Sequence, residues 1–297
     1  MKFLLYGTKG WIGQKFLKLL KENNEEIIIG SSRVDNIQEL EEEIRLVKPT
    51  HVISTIGRTH GEYNNKKYGT IDYLEQPGKL VENVRDNLFA PVILAQLAIK
   101  YNFHNSYIGT GCIFEFDNTY PFGEEKNGFS EEALPNFFGS SYSIVKGFTD
   151  QLMHLMNEKS LNIRIRMPIT DEFNSRNFIT KITNYPKICS VPNSMTVLDE
   201  LIPIMIDMAK NNITGTINMT NPGLITHNEI LEMYKELVDP NFKWENFSLE
   251  EQRSILDSGR SNNYLDTTKL QSLYPNVKTI KESVRETLIR MSNNRIV

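Results

Sequence analysis

Short hydrophobic runs alternate with amphipathic stretches through the first half of the chain. The runs KFLLYG, EEIIIG, HVISTIG, SYIGT and NIRIRMP have the length and composition of buried strands, and stretches with a helical period lie between them. Strands that alternate with helices in this way form a parallel sheet with right-handed crossovers. The pattern therefore predicts an α/β fold with a doubly wound parallel sheet of the Rossmann type.

The alternation weakens after Pro168, where polar and irregular sequence begins. A helix, a strand at 216–219 and another helix follow, and the tail carries no clear sheet signal. We therefore predict two domains. The predicted boundaries are 1–168 for an NADP-binding Rossmann domain, to which 194–232 return, and 169–193 with 233–297 for a smaller, discontinuous C-terminal substrate lobe.

The composition predicts a soluble, cytoplasmic protein. The 297 residues include 33 basic and 37 acidic side chains, with no basic tract suited to nucleic acid or a membrane surface. The first apolar run is too short for a signal peptide or a membrane span. Cys112 and Cys189 are too few for a disulfide framework, and the five histidines lack the spacing of a metal site. We expect no metal, no nucleic-acid partner and no membrane partner.

The first predicted strand ends in the glycine-rich turn GTKGWIG. Gly7, Gly10 and Gly13 would let the backbone approach a pyrophosphate at the start of the following helix. Three glycines also suit an ordinary tight turn, but their place between the first strand and the first helix favours a dinucleotide site. The second strand ends in GSSRVD, where Ser32 and Arg33 suit the 2′-phosphate of NADPH, with NADH as the alternative.

The segment YSIVK places Tyr142 and Lys146 one turn apart on a predicted helix. A cation at that distance favours tyrosinate, so Tyr142 could exchange a proton with a carbonyl oxygen near neutral pH. Thr110 ends a predicted strand, where it is either a structural hydroxyl or a group that holds the substrate oxygen. The three residues are similar to the threonine–tyrosine–lysine arrangement of hydride-transferring short-chain dehydrogenases/reductases.

The stretches GTGCIFEFD, PNFFGSSYSIVK, RNFITKI and NMTNPGLITHNEILEMY resemble the bifunctional nucleotide-rhamnose synthase/epimerase-reductase family. Its members are extended short-chain dehydrogenases/reductases, and the resemblance runs from about Lys2 to Ser283. It implies conversion of UDP-4-keto-6-deoxyglucose, or its dTDP form, into the L-rhamnose nucleotide with NADPH or NADH. It also implies a nucleotide-sugar substrate supplied by a separate 4,6-dehydratase. We expect a homodimer, as is common in the superfamily.

The resemblance gives Cys112 and Lys181 roles that the sequence alone leaves open, since a strand-end thiol and a solvated lysine are ordinary structural features. A C4 ketone acidifies the protons at C3 and C5, and these two groups would move them, in an order that stays open. Thr110 and Tyr142 would hold the C4 oxygen, with Lys146 beside Tyr142.

The predicted contacts to the two small molecules come from the turns and from the substrate lobe. Arg176, Asn177 and Arg260 are predicted to bind the substrate, through its diphosphate in the case of the arginines. The predicted cofactor contacts are Gly7, Lys9, Gly10, Trp11, Ile12, Gly13, Ser32, Arg33, Ile56, Gly57, Tyr142, Lys146 and Met167.

Two alternatives remain open. The chain could be a reductase that acts on a 4-keto sugar already inverted by another enzyme, although Cys112 and Lys181 argue against this. It could also be a non-catalytic regulatory subunit that binds NADP, although the intact pair of Tyr142 and Lys146 argues against that. The sequence does not separate UDP from dTDP.

Overall fold

The computed structural model describes residues 1–295. The strands are β1 (Lys2–Tyr6), β2 (Glu26–Ile29), β3 (His51–Ser54), β4 (Gly61–Tyr63), β5 (Lys66–Tyr68), β6 (His104–Thr110), β7 (Ser160–Ile165) and β8 (Gly215–Asn218). The helices are α1 (Trp11–Glu22), α2 (Ile37–Val47), α3 (Leu80–Val84), α4 (Ala90–Tyr101), α5 (Ser141–His154), α6 (Phe178–Asn184), α7 (Leu198–Lys210), α8 (His227–Leu237), α9 (Leu249–Ile255), α10 (Thr268–Leu273) and α11 (Ile280–Arg295). A 3₁₀ turn spans Ile71–Glu75, and a π-helical segment spans Arg85–Phe89.

Within this part of the chain, six strands form one sheet in the order β2-β1-β3-β6-β7-β8. β1 pairs in parallel with β2 and β3, and β3 pairs in parallel with β6. The chain reaches β3 from β2 and β6 from β3 through helices, as a doubly wound fold requires. The predicted fold class is confirmed. The returning strand is β8, which begins one residue earlier than predicted.

The chain divides into two compact units. Unit 1 comprises Met1–Thr110, Ser140–Arg164 and Ile202–Ile217, and unit 2 comprises Gly111–Gly139, Ile165–Leu201 and the chain from Asn218 onward. The sequence prediction placed 111–139, 165–168, 194–201 and 218–232 with the Rossmann domain, whereas they cluster with unit 2. For 111–139 the reason is apolar packing: Ile113, Phe114 and Phe129 share a buried cluster with Leu265. Such a contact leaves no local periodicity in the sequence.

The core of unit 1 is the sheet and the helices that cover it. Leu4 and Val52 from the sheet pack with Leu40 of α2 and Leu94 of α4, all fully buried. The helix predicted from Leu80 to Tyr101 is continuous, but its middle is the π-helical segment between α3 and α4. Such segments often occur at functional sites because they displace side chains from the regular helical spacing.

The core of unit 2 is helical. Ile179 of α6, Ile230 of α8 and Val284 of α11 belong to one buried cluster. Thr226 begins α8 with a capping box, in which its side chain and that of Glu229 exchange hydrogen bonds with the backbone. Among residues 1–295, no helix combines the length and apolar character that crossing a membrane requires.

Candidate active site

The turn after β1 brings three backbone segments into close contact. Gly7 has a φ of +82°, and a Cβ on it would lie 2.5 Å from Oγ1 of Thr55. A Cβ on Gly13 would lie 2.3 Å from the carbonyl oxygen of Gly7. Only glycine fits at either position, so the turn offers bare backbone to a pyrophosphate at the start of α1. Thr55 donates hydrogen bonds to the carbonyls of Tyr6 and Gly7, a contact with no local sequence signal.

The loop after β2 is organised around the carboxylate of Glu43. This group accepts hydrogen bonds from the backbone N–H of Ser31 at 2.7 Å and of Ser32 at 3.2 Å. Arg33 forms a two-point ion pair with Asp35, at 2.9 Å for each bond, and its side chain is 67% exposed. The structure therefore places Ser32 and Arg33 together at the carboxyl end of β2, with an accessible guanidinium.

The turn after β3 carries Ile56 and Gly57 and is held by Asn87 from the π-helical segment. The Asn87 side chain accepts a hydrogen bond from the Arg58 N–H at 2.9 Å and donates one to the Arg58 carbonyl at 2.8 Å. A Cβ on Gly57 would lie 3.3 Å from Oδ1 of Asn87. The long helix thus fixes the third of the strand ends at which a dinucleotide is expected to bind.

Tyr142 and Lys146 lie on a buried side of α5. The helix begins directly before Tyr142, because the Ser140 side chain caps it by accepting a hydrogen bond from the Ser143 N–H at 3.0 Å. Tyr142 is 9% exposed and Lys146 is 4% exposed. Thr110 is the last residue of β6 and is also buried. All three residues of the predicted reductase group belong to unit 1.

The ammonium of Lys146 contacts a residue that the sequence does not single out. It donates a hydrogen bond to the hydroxyl of Tyr107, in the middle of β6, and lies 4.6 Å from the centre of that ring. Tyr107 is buried, and burial, followed by the charges of Tyr142 and Asp150, raises its pKa well above the usual value. The Tyr107 phenol therefore remains neutral.

A buried ion pair holds the far half of α5. Asp150 accepts hydrogen bonds from Nε of Arg164 at 2.8 Å and from Nη2 at 2.7 Å. Burial alone would raise the pKa of Asp150, but hydrogen bonds, with that from Arg164 first, lower it to about 2. The pair ties α5 to β7, and it thereby fixes the helix that carries Tyr142 and Lys146.

Cys112 lies in unit 2, half-buried, and it interacts with the buried side chain of Arg166. A Cβ on Gly111 would lie 3.0 Å from Cγ and Cδ of Arg166. The guanidinium donates hydrogen bonds to Oδ1 of Asn193 at 2.7 Å and to two backbone carbonyls at 2.8 and 3.0 Å. Burial lowers the pKa of Arg166, whereas the charge of a Cys112 thiolate and a hydrogen bond with that side chain raise it.

Lys181 lies on α6, also in unit 2. Burial, followed by the positive charges of Arg176 and Arg260, lowers its pKa to about 8. The desolvation expected for a proton-transferring lysine is therefore present. Ammonium and amine are both populated near neutral pH, as a general acid or base requires.

The two arginines predicted to bind the substrate lie close enough to Lys181 to influence its charge. Arg260 donates hydrogen bonds to the backbone carbonyl of Ser258, at 3.0 Å, and to the Ser258 hydroxyl. It also lines a cavity of ≈ 370 Å³ in unit 2, together with Phe137, Phe138 and other residues. Arg176 is half-buried, and burial lowers its pKa.

The structure gives the Asn177 side chain a different role from the predicted one, which was to bind the substrate. Its side chain is fully buried and caps α6, with Oδ1 accepting hydrogen bonds from the N–H groups of Ile179 and Thr170. Its amide nitrogen donates to the carbonyls of Thr170 and Glu172 at 2.8 and 2.7 Å. Both amide donors are thus used within the protein, and the role of this side chain is structural.

The remaining predicted cofactor residues lie at two places. Lys9 and Gly10 are exposed in the turn before α1, and Trp11 and Ile12 begin that helix with partly buried side chains. Met167 follows β7 and belongs to unit 2. Its φ of 40° is rare for a residue other than glycine, and such strain is concentrated at functional positions.

Comparison with known proteins identifies close relatives along the whole chain. The crystal structure of the L780 UDP-rhamnose synthase from Acanthamoeba polyphaga mimivirus is 56% identical, with a TM-score of 0.93 over 98% of this chain and 99% of that chain. A bifunctional dTDP-4-dehydrorhamnose 3,5-epimerase/dTDP-4-dehydrorhamnose reductase from Arabidopsis thaliana is 44% identical over 95% of this chain and 90% of its own length. No protein-family model matches the chain.

Two further similarities extend this picture. A trifunctional UDP-glucose 4,6-dehydratase/UDP-4-keto-6-deoxy-D-glucose 3,5-epimerase/UDP-4-keto-L-rhamnose-reductase from Arabidopsis thaliana is 43% identical over 96% of this chain. The matched region is 41% of the length of that longer protein. The dTDP-4-dehydrorhamnose reductase from Bacillus anthracis, solved in complex with NADP, has a TM-score of 0.76 over 97% of this chain at 17% identity. At that identity the likeness shows the fold alone.

Proposed function

Because the chain belongs to the nucleotide-rhamnose synthase family, whose members combine 3,5-epimerase and 4-keto-reductase activities, we propose that it converts UDP-4-keto-6-deoxy-D-glucose into UDP-L-rhamnose. The reaction is a 3,5-epimerisation followed by reduction of the C4 ketone with NADPH. The observation that carries this proposal is the similarity of the whole chain to these enzymes, and the presence of Cys112 and Lys181 in one compact unit supports it. The dTDP sugar is the alternative substrate.

The epimerisation is assigned to groups of unit 2. The C4 ketone acidifies the protons at C3 and C5, so a base removes one proton to form an enolate and an acid returns a proton on the other face. Cys112 and Lys181 are the two groups that exchange these protons. The buried guanidinium of Arg166 interacts with the Cys112 side chain and so helps to fix its place.

The reduction is assigned to groups of unit 1. NADPH, when bound, supplies the hydride that C4 receives. Thr110 and Tyr142 hold the C4 oxygen, and the Tyr142 hydroxyl donates the proton that completes the alcohol. Lys146 keeps a positive charge one turn from Tyr142, which favours the tyrosinate left after this transfer.

The dinucleotide is assigned to unit 1, chiefly to the turn whose glycines leave no room for a Cβ. NADPH is preferred over NADH because the exposed guanidinium of Arg33 and the hydroxyl of Ser32 suit a 2′-phosphate. Met167 is the one proposed contact from unit 2. The proposed contacts are Gly7, Lys9, Gly10, Trp11, Ile12, Gly13, Ser32, Arg33, Ile56, Gly57, Tyr142, Lys146 and Met167.

The nucleotide diphosphate is assigned to Arg260 and Arg176. Both are cations in unit 2, and both oppose the charge of Lys181, so an anion near them is favoured. The variant Arg260→Ala should bind UDP-sugar about tenfold more weakly, as expected for a lost hydrogen bond to a charged group, and should bind NADPH normally. Unchanged affinity for UDP-sugar in calorimetry would remove Arg260 from the site.

We also propose a cytoplasmic homodimer that receives its keto sugar from a separate 4,6-dehydratase. The apolar side chains of Val81 on α3 and Phe148 on α5 are 72% and 59% exposed, and these helices pack together in unit 1. A second copy would cover them. Analytical ultracentrifugation of the wild type and of Phe148→Glu tests this, since a dimer built on this face should dissociate in the variant.

NMR of the reaction in heavy water tests the proposed function. The protein is incubated with UDP-4-keto-6-deoxyglucose and NADPH, and the product is analysed for configuration and deuterium. A rhamnose product with deuterium at C3 and C5 is expected. Reduction without deuterium would leave a reductase only, and NADPH binding without turnover would leave a regulatory subunit.

A further inference from the structure

Tyr107 occupies the middle of β6, three residues before Thr110, and none of the assignments above uses it. Its ring packs against Ala95 of α4 and Met153 of α5, and its side chain is 2% exposed. A buried tyrosine usually has a hydrogen-bond partner for its hydroxyl, whereas phenylalanine fills a purely apolar site without burying a polar group. The hydroxyl at this position therefore calls for an explanation.

The partner of this hydroxyl is the ammonium of Lys146. Lys146 is 4% exposed, and a buried ammonium with three donors is costly unless acceptors surround it. Tyr107 provides one acceptor oxygen, and its ring face, 4.6 Å from Nζ, adds a cation–π attraction. The lysine side chain has four rotatable methylenes, so a fixed acceptor strongly restricts where the ammonium lies.

The Tyr107 phenol is suited to hold a cation without taking part in proton transfer. Burial, with the charges of Tyr142 and Asp150, raises its pKa well above the usual value, so it keeps its proton throughout the working range of the enzyme. The charge of Tyr142 reaches Tyr107, and Tyr107 contacts Lys146 directly. Tyr107 can therefore fix the cation while Tyr142 gains and loses its proton.

We propose that Tyr107 is a positioning residue for the reduction, because its hydroxyl accepts a hydrogen bond from Lys146 and fixes the ammonium one helical turn from Tyr142. This inference rests on the proposed function. The proposal predicts different effects on the two half-reactions. Tyr107 should affect the reduction, through Lys146, and should not affect the proton transfers of Cys112 and Lys181.

The test compares Tyr107→Phe with Tyr101→Phe, in the same unit. The Tyr101 hydroxyl contacts Glu41 and has no part in the assigned groups, so its loss controls for removal of a phenol oxygen. Tyr107→Phe should lower kcat/KM for NADPH-dependent reduction by about tenfold to a hundredfold, the range expected for a hydrogen bond to a charged group. Deuterium incorporation at C3 and C5 should stay at the wild-type rate, and Tyr101→Phe should change neither rate.

A double-mutant cycle shows whether Tyr107 acts through Lys146. If it does, Tyr107→Phe lowers reduction no further when added to Lys146→Met. The proposal is overturned if Tyr107→Phe reduces at the wild-type rate, if its effect persists in full in the Lys146→Met background, or if reduction and deuterium incorporation fall together.

The cycle also has a readout that does not depend on the sugar. The NADPH dissociation constants of the wild type, the two single variants and the double variant, measured by fluorescence titration, should show the same lack of additivity. Additive effects would contradict the proposal that Tyr107 acts through Lys146. If the wild type neither exchanges nor reduces the keto sugar, the proposed function fails, and the NADPH cycle alone then decides the role of Tyr107.

Discussion

Arg164 and Arg166 are two residues apart, and both are fully buried, yet the two units treat their charges differently. In unit 1, Arg164 forms a two-point ion pair with Asp150. In unit 2, Arg166 donates hydrogen bonds to an amide oxygen and to backbone carbonyls, which are neutral, and it also interacts with the Cys112 side chain. The first arrangement pairs a buried cation with a carboxylate, and the second surrounds one mainly with neutral acceptors.

The two arginines therefore differ in role: Arg164 holds a helix in place, whereas Arg166 lies beside a proposed reacting group, Cys112. The ion pair of Arg164 and Asp150 fixes α5, and the charge of Asp150 also reaches Tyr107. The Arg166 cation beside Cys112, together with the arginines near Lys181, makes a positive environment in unit 2. Such an environment favours anions, and under the proposed function these would include the diphosphate of the substrate and the enolate.

Removal of the buried Arg164 cation of unit 1 should have the largest effect on the stability of the protein. Arg164→Met leaves the Asp150 carboxylate buried without its main partner, so the free energy of unfolding should fall by about 3–5 kcal/mol. Urea denaturation measures this loss. As a control, Arg285→Ala, which removes an exposed pair with Glu236, should leave the urea midpoint unchanged. A loss in Arg164→Met no larger than in the control would contradict the assignment.

The chemistry of unit 2 is tested at Lys181. Lys181→Met should slow deuterium incorporation at C3 or C5 by about a hundredfold or more, the usual contribution of a general acid or base. The exposed Lys187 provides the matched control, as Lys187→Met should exchange at the wild-type rate. Wild-type exchange at both carbons in Lys181→Met would remove the lysine from the mechanism.

The same lysine predicts a transition in the exchange rate near pH 8. Below that pH the ammonium dominates and can only donate a proton, and above it the amine can accept one. A rate that rises through pH 8 identifies Lys181 as the base, and a rate that falls identifies it as the acid. A profile without a transition between pH 7 and 9 would contradict the lowered pKa.

The ion pair of unit 1 also predicts how stability depends on acid. The pKa of Asp150 is about 2 in the folded protein and 3.8 in its ordinary state, so the pair contributes stability above pH 4. This contribution, about 2 kcal/mol, should be lost as the pH falls from 4 to 2, because the unfolded state then binds the proton more readily. Urea midpoints between pH 2 and 6 should fall more steeply with acid in the wild type than in Asp150→Asn, where other carboxylates with lowered pKa, such as Asp86 and Glu43, still contribute.

The smallest effect on folding is expected at Arg166. Arg166→Met leaves neutral acceptors unpaired but also removes a desolvated charge, so the loss should be about 1–2 kcal/mol, less than for Arg164→Met. Urea denaturation of the two variants side by side measures the difference. An equal loss would show that the guanidinium of Arg166 is compensated as fully as that of Arg164.

The sequence predicts well whatever depends on neighbours along the chain. The parallel sheet, the turn with Gly7 and Gly13, and the start of the helix before Tyr142 follow from local periodicity and from residues that suit tight turns. The lowered pKa of Lys181 matches the expectation of burial, but that expectation came from family resemblance, since an isolated lysine gives no such signal.

Contacts between distant segments could not be predicted. Tyr107 of β6 contacts Lys146 of α5, and Cys112 contacts Arg166, and no periodicity in the sequence links the members of either pair. Asn177 illustrates the opposite error. It stands beside Arg176 in a polar stretch that resembles a binding motif, yet burial turns its amide into a helix cap. Side-chain burial in irregular segments is set by tertiary packing, which the local sequence does not encode.

The lowered pKa of Lys181 has a consequence for the timing of the reaction. Under the proposed function two stereocentres are inverted in sequence, and each inversion would leave one of Cys112 and Lys181 with an extra proton and the other with one too few. The pair would have to be reset before the same base could act a second time. A lysine that titrates near pH 8 releases and recaptures protons readily from water, whereas one with an ordinary pKa would stay charged. Solvent exchange at this side chain would thus act as the clock between the two steps.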